Sequence, residues 1–518
     1  MLPTWTVSRL LSTAGDYLTA RGSESGRLDA ELLLSHALNL ERIDLYLQYD
    51  RPLTSEEVDR FREHVRRRAR HEPVAYILGT AYFRHLRLRV SPAVLIPRPE
   101  TEELVEHVLD WLAVHPPELW DCGGGQASRV CDVGTGSGAI ALSLATERGV
   151  SVLALDSSSA ALKVASANAQ AAGVTHLVSF DCRDLLSDVP AESLMAIVSN
   201  PPYVSDEEWG GLARDVRDFE PQEALRGGPD GLDVYRRLLP DAARVLRPGG
   251  GLFLEIGFAQ AERVMNMARR TGFCHIRVYR DLSGKERIVC MAKPGAPRLS
   301  IAGLTRSTES RQVHVLETVR QALAAGAIVG TPTDTVYGLA TAWDSAKGRR
   351  TLREGKGRRE DKPFQVMFSS VEAATASLPG LSSAAVRILE GLLPGPYTFV
   401  VATDLPQAAS LGSEGSVGVR VPDHPELLGL LAALGVPLAA TSANRGGEDA
   451  AWGPEEVPGE VAAACAVLLE AQAAASPSGS ASTVVDLRSV DEDGTAIVLR
   501  EGVVSGAEVL ERIGFLLS

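Results

Sequence analysis

The chain has 518 residues, 45% hydrophobic and 23% charged, with a formal net charge of −14. These figures suit a globular chain of three or four domains of ~150 residues each, and the acidic balance argues against coating nucleic acid by bulk electrostatics. There is no apolar run of 18 residues, no basic-then-apolar leader and no Cys-x-x-Cys pair among six scattered cysteines, which argues against a membrane span, a disulfide framework or a zinc site and points to a reducing cytoplasm.

Residues 1–80 read as a small helical domain. Leu28, Leu32 and His36 recur at helical spacing, with Leu33, Leu34 and Ala37 beside them. A second helix places Val58, Phe61, Val65 and Ala69 on one face and Arg62, Arg66 and Arg70 on another, with Arg60, Arg67 and Arg68 close by. Such a stripe is either a solvated face or a surface for an acidic macromolecule. The alternation Phe83, Leu86, Leu88, Val90 then predicts a β-hairpin over 82–94.

A different pattern begins at Arg129-Val130-Cys131-Asp132-Val133, a short buried strand followed by Gly134-Thr135-Gly136-Ser137-Gly138 and a helical run over 139–146. Glycine is needed where backbone turns tightly against a ligand, and the helix start offers a positive dipole end. The next strand ends in Asp156, about 20 residues on, the spacing of an acid that grips ribose hydroxyls. Another strand precedes Asp184 and Leu185, and the apolar run Met195–Val198 leads into Ser199-Asn200-Pro201-Pro202-Tyr203. The two prolines force an extended exit. They leave an Asn amide, a carbonyl and a Tyr ring at a strand's C-terminal edge. That set suits a planar NH2 group, with two acceptors for its hydrogens and an aromatic face beneath; the bland alternative is a Pro-rich turn with a surface Tyr. Several strand ends carrying ligand-type residues imply the carboxyl edge of an open parallel sheet.

Residues 1 to about 293 resemble the PrmC/HemK family, the release-factor glutamine methyltransferases, on Ile96–Glu102, Asp132–Gly138, Asn200–Tyr203, Gly228–Asp233, Leu254–Gly257 with Gln260, and Asp281–Arg287. The resemblance implies a substrate-recognition domain over 1–80 and a Rossmann-like class I methyltransferase domain over 81–293 with a mostly parallel seven-stranded sheet. In it Gly134, Thr135, Gly136, Ser137, Gly138 and Asp156 hold S-adenosylmethionine, with Asp184 and Leu185 beside its adenine, where relatives often carry an aromatic in place of Leu185. Asn200, Pro201, Pro202 and Tyr203 receive the Gln of the Gly-Gly-Gln loop of class I peptide chain release factors, Asn200 also lying against the cofactor. No metal is implied. Adenine presents a similar planar NH2, so an N6-adenine nucleic-acid methyltransferase is the rival reading.

Residues 294–311, rich in Pro, Gly, Ser and Thr, read as a linker. After a helix over 313–324 and a strand over 327–330 come Thr331–Leu339, Lys356–Pro363, Leu393–Thr398, Val417–Pro422 and Thr441-Ser442-Ala443-Asn444. Cations packed into the Gly-containing loop after Lys356 suit a polyphosphate, or are simply solvated. Residues 312–518 resemble the YrdC/TsaC family of threonylcarbamoyl-adenylate synthases, which implies a twisted-sheet α/β domain. The K-x-R pair Lys356 and Arg358 and the S-x-N pair Ser442 and Asn444 line the ATP site. Lys362 and Arg500 also face the nucleotide, and Thr333, Arg420 and Ser482 lie towards threonine. The implied reaction joins L-threonine, bicarbonate and ATP, with Mg2+ on the phosphates, for threonylcarbamoylation of a tRNA adenosine. Other proteins of that tRNA modification are the implied partners, with direct tRNA contact left open; a non-catalytic double-stranded RNA-binding module is the rival. The whole reads as a cytoplasmic, multidomain α/β protein carrying two translation-related enzymes.

Overall fold

The computed structural model describes residues 5–120, 129–301, 310–356, 363–411, 415–445, 448–471 and 479–518. Arg358 and Lys362 lie outside them. Helices Val7–Ala20, Gly26–Leu38, Arg42–Leu47, Ser55–Arg68 and Val74–Leu78 pack around Leu10, Leu11, Leu33, Leu34 and Phe61. The helix Gly26–Leu38 is rotated from the face its spacing suggests. Ala30, Leu33, Leu34 and Ala37 are buried, whereas Leu28 and His36 are exposed. Charge pairing explains the difference. Asp29 and Glu31 are buried because Arg68 reaches Asp29 at 2.7 Å and Arg27 and Arg42 reach Glu31 at 2.9 and 3.1 Å. Much of the arginine stripe is answered locally too, Arg62 by Asp59, Arg66 by Glu63 and Arg67 by Glu72.

The hairpin Thr80–Phe83 with Leu86–Arg89 leads to the first large sheet. Among the described residues that sheet has seven strands in the spatial order Val178–Cys182, Val152–Asp156, Arg129–Val133, Leu194–Ser199, Leu246–Glu255, Glu286–Ala292 and Cys274–Arg280. The first five run parallel, and the last two add antiparallel at one edge. Central strands such as Leu194–Ser199 are buried along their whole length, as expected when helices cover both faces. The register aligns Leu155, Val133, Ser199 and Leu254 in one row. The next residue of each strand, Asp156, Gly134, Asn200 and Glu255, therefore arrives at one carboxyl edge.

The second sheet has ten strands among the described residues, of mixed direction. Their order is Arg298–Ser300, Val467–Glu470, Val329–Thr331, Gly338–Ala342, Leu438–Ser442, Gln365–Met367, Ser416–Arg420, Tyr397–Ala402, Thr483–Asp486 and Ile497–Arg500. Its first strand corrects the linker reading. Arg298–Ser300 pairs in parallel with Leu468–Glu470, and Ile301 beyond it is fully buried. Three residues have too little alternation to announce a strand, and the partner that completes the ladder lies about 170 residues away. The helix that follows also starts earlier than its apolar spacing indicates, spanning Ser310–Ala324.

Candidate active sites

The glycine turn of the first sheet is built by backbone conformation. Gly134, Gly136 and Gly138 have φ of +76°, +55° and +86°, a region that a side chain rarely enters. A Cβ on Gly134 would meet nothing within 4 Å, and on Gly136 only the Gly134 carbonyl at 4.0 Å. The turn thus borders open space. Asp156 shapes it from the next strand, accepting from Gly136 N at 2.9 Å and Ser158 N at 2.8 Å. Beneath the turn Asp132 is fully buried. One of its carboxylate oxygens accepts from Thr135 Oγ1 at 2.7 Å and Ala141 N at 3.1 Å, and the other has no partner. Burial pushes its pKa up to about 7, against those bonds. An open cradle with a buried, unspent carboxylate oxygen fits a ligand bearing a cationic amino group.

Asn200 leaves the neighbouring strand next to a second buried acid. Its Nδ2 donates to Thr101 Oγ1 at 3.0 Å, and Thr101 Oγ1 donates to Glu255 Oε2 at 2.6 Å. Glu255 Oε1 accepts from Tyr203 OH at 3.2 Å, and the Glu255 carbonyl accepts from Tyr235 OH at 2.7 Å. Two surrounding segments hold this arrangement. Pro99 opens the helix Pro99–Val114, and Arg98, just outside it, bonds Glu220 at 2.5 Å, which sets Thr101 in the first helical turn. On the other side Gln260 Nε2 donates to the carbonyls of Tyr203 and Gly231, at 2.9 and 3.2 Å. A Cβ on Gly231 would come within 2.3 Å of the Tyr203 carbonyl, so only glycine lets that loop close on the exit strand. Asp184 and Leu185 follow the outermost strand, Asp184 exposed and paired with Arg237 at 2.5 Å, Leu185 half-buried with φ +52°.

Glu255 and Thr101 are residues to which sequence reasoning gave no role. They stand in the runs Ile96–Glu102 and Leu254–Gly257, but 154 residues apart, and nothing local signals that the two meet.

The second sheet gathers the separated signatures into two groups. Lys356, at the end of the helix Ala346–Lys356, donates to Ser442 Oγ at 2.9 Å, Thr441 Oγ1 at 3.1 Å and Asn444 Oδ1 at 3.3 Å. Ser442 in turn donates to Asn444 Oδ1 at 2.6 Å. The other group centres on Arg420, 2% exposed, whose Nη2 reaches Asp334 Oδ1 and Thr335 Oγ1, both at 2.6 Å, and Thr333 Oγ1 at 3.4 Å. Asp334 Oδ2 and Arg420 Nε are buried without partners. Arg500 donates to the Ser482 carbonyl at 2.9 Å, and Ser482 Oγ bonds Thr398 Oγ1 at 2.8 Å. Partial loss of solvent around its guanidinium lowers the Arg500 pKa although the residue as a whole is exposed, with a further push from Arg420. The groups meet at the loop 332–337, which holds Arg420 through Asp334 and Thr335 and leads into Gly338, paired with Ser442. Among the described residues no cluster of three His, Cys, Asp or Glu could hold a metal ion. No helix among them is long and apolar enough to cross a membrane.

Three family models match the chain: the PrmC N-terminal domain over residues 9–79, the methyltransferase small domain over 121–214, and the Sua5/YciO/YrdC model, described as telomere recombination, over 321–502. The release factor glutamine methyltransferase of Geobacter sulfurreducens is 41% identical over 286 residues, 55% of this chain and 96% of that protein. That of Moorella thermoacetica is 43% identical over 284 residues, 54% of this chain and 96% of its own length. Among solved structures, P. abyssi Sua5 complexed with L-threonine is 26% identical with a TM-score of 0.35, covering 42% of this chain and 61% of that one. The chain belongs to the release factor glutamine methyltransferase family, and carries after that part a region of the Sua5/YciO/YrdC type.

Proposed function

We propose that this chain is two enzymes: one methylates the glutamine of the Gly-Gly-Gln loop of class I release factors, the other makes L-threonylcarbamoyl-AMP. The observation that carries the first is the Asn200 carboxamide, held at the sheet edge with its NH2 spent on Thr101 and its oxygen left for a substrate. The open turn at Gly134–Gly138 with Asp156 is the cofactor cradle, and the unspent Asp132 oxygen takes the amino group of S-adenosylmethionine. Asp184 and Leu185 lie beside the adenine. When bound, the cofactor supplies an electrophilic methyl group. An amide nitrogen is a weak nucleophile because its lone pair is delocalised. Asn200 Oδ1 and the Pro201 carbonyl accept its two hydrogens as it gains positive charge, and one proton is then released to water. Pro202 and Tyr203 keep the amide plane in place, and orientation of this kind can supply several kcal/mol, at most about 7–11.

In the second enzyme Lys356, Ser442 and Asn444, joined by Arg358, Lys362 and Arg500, hold the nucleotide. Mg2+ carried with ATP shares the charge of its phosphates. Thr333, Arg420 and Ser482 face threonine. The unpartnered Asp334 oxygen and Arg420 nitrogen match an ammonium and a carboxylate. The threonine amine takes up carbon dioxide and loses a proton, the carbamate oxygen attacks the α-phosphorus, and pyrophosphate leaves. Positioning and cationic charge account for the catalysis. Both products serve translation, one at release factors and one on a tRNA adenosine in the cytoplasm.

Two assays test this. Mass spectrometry of a release factor incubated with the chain and S-adenosylmethionine is expected to find one added methyl on the Gly-Gly-Gln glutamine. Pyrophosphate release from ATP is expected to require both threonine and bicarbonate. Methyl label on DNA with none on release factor overturns the first reading. Tight RNA binding without pyrophosphate release overturns the second.

A further inference from the structure

Asn200, Thr101 and Glu255 come from three separate elements: the end of one strand, the first turn of the helix Pro99–Val114 and the end of the next strand. We propose that Glu255, acting through Thr101, is a positioning residue that fixes which way round the Asn200 carboxamide sits, so that its oxygen faces the methyl-accepting amide. The inference rests on the methyltransferase reading of this site.

Hydrogen-bond counting carries it. An ionised carboxylate only accepts, and a threonine hydroxyl has a single proton to give. Thr101 gives that proton to Glu255 at 2.6 Å, so towards Asn200 it can only accept. The NH2 end of Asn200 must then face Thr101, and Oδ1 is left for the substrate. The same carboxylate takes the hydroxyl proton of Tyr203, on the wall of the same site. Thr101 and Glu255 are 4% and 1% exposed, which excludes competing water from the chain of bonds.

Protonation of Glu255 reverses the polarity. A proton on Oε2 is donated to Thr101 Oγ1, while Tyr203 goes on donating to Oε1; the Thr101 hydroxyl proton is then released towards Asn200, and the carboxamide turns its oxygen to meet it. The substrate amide then faces an NH2 donor instead of an acceptor. Around Glu255 burial and Glu100 favour the acid, whereas Thr101, Tyr203 and Arg287 favour the carboxylate; Tyr235 bonds only its backbone carbonyl. Burial prevails and lifts its pKa to about 7, so the switch operates close to neutrality.

The experiment measures methylation of release factor by the intact chain at saturating cofactor over pH 5.5–9, for wild type, Thr101→Val, Thr101→Ser and Glu255→Gln, with S-adenosylmethionine affinity measured calorimetrically for each. Wild-type kcat should rise with pH and then level, with the carboxylate as the active form. Titration of Asp132 near the same pH acts on cofactor affinity and is removed by saturation. Thr101→Val should lower kcat by on the order of 10²-fold, as for loss of one preorganised group at a reacting centre, with cofactor affinity within a few-fold of wild type. Thr101→Ser should recover most of that loss. Glu255→Gln should lower kcat and flatten the profile. The relay is overturned if wild type methylates release factor but Thr101→Val and Glu255→Gln keep its kcat and pH profile. It is equally overturned if their whole effect lies in cofactor affinity. No methylation by wild type is a different result, which overturns the methyltransferase reading itself.

Discussion

At the edge of the first sheet the polar groups are spent on one another: Asn200 on Thr101, Thr101 and Tyr203 on Glu255, Asp156 on the backbone of its own turn. At the second sheet cations are gathered instead, with Lys356 held by Ser442 and Asn444, Arg420 by Asp334, and Arg500 close enough to Arg420 to feel its charge. The contrast fits the two proposed acceptors. A carboxamide carries no charge, so its site needs acceptors held in fixed orientation in a nearly dry environment, and two acids there are lifted towards neutrality, Asp132 and Glu255 both to about 7. A triphosphate, the ligand proposed for the second site, carries several negative charges, which suits positive groups already set in place by neighbouring side chains. In the first site orientation is the scarce commodity, and in the second it is charge.

That contrast can be broken in several places. Asn200→Ala should lower release-factor methylation by about 10³-fold or more, as for removal of a group acting at the transition state. Cofactor affinity and adenylate formation should stay within a few-fold, and calorimetry with the two activity assays reads all three. Lys356→Ala should lower threonylcarbamoyl-AMP formation by on the order of 10²-fold, with methylation unchanged, read as threonine-dependent pyrophosphate release. Arg420→Lys keeps the charge but loses the planar fork that reaches Asp334 and Thr335 together. It should raise the KM for threonine about tenfold while that for ATP hardly moves. Gly136→Ala places a side chain at φ +55°, where an L-residue costs roughly 1–2 kcal/mol. It should weaken S-adenosylmethionine binding by roughly tenfold and leave the second activity as it was.

Much of this was legible in the sequence because the chemistry sits in short contiguous runs. The glycine turn, Asp156 and Asn200–Tyr203 each follow an apolar strand, and the seven-stranded sheet brings them to one edge as the pattern implied. What was not legible is long-range pairing. The bonds from Thr101 to Asn200 and to Glu255 span 99 and 154 residues, and no local periodicity encodes them. The strand Arg298–Ser300 looks like linker in the sequence because its ladder partner is supplied by Leu468–Glu470. In the helix Gly26–Leu38 spacing alone does not tell the buried Leu33, Leu34 and Ala37 from the exposed Leu28 and His36, because the ion pairs that draw Asp29 and Glu31 inward come from distant residues. Lys356, Ser442 and Asn444 each stand in a short motif, but their contact joins the end of the helix Ala346–Lys356 to the end of a strand more than 80 residues on, which no local pattern encodes.

The central claim is that one chain holds two sites working by different means. It is tested most directly by running both assays on single preparations of the intact wild type, Asn200→Ala and Lys356→Ala. The account predicts that wild type transfers methyl to the release-factor glutamine and releases pyrophosphate only with threonine and bicarbonate, while each substitution lowers one activity by the factor given above and spares the other. Loss of both activities in either variant, or wild type lacking one of them, would contradict it.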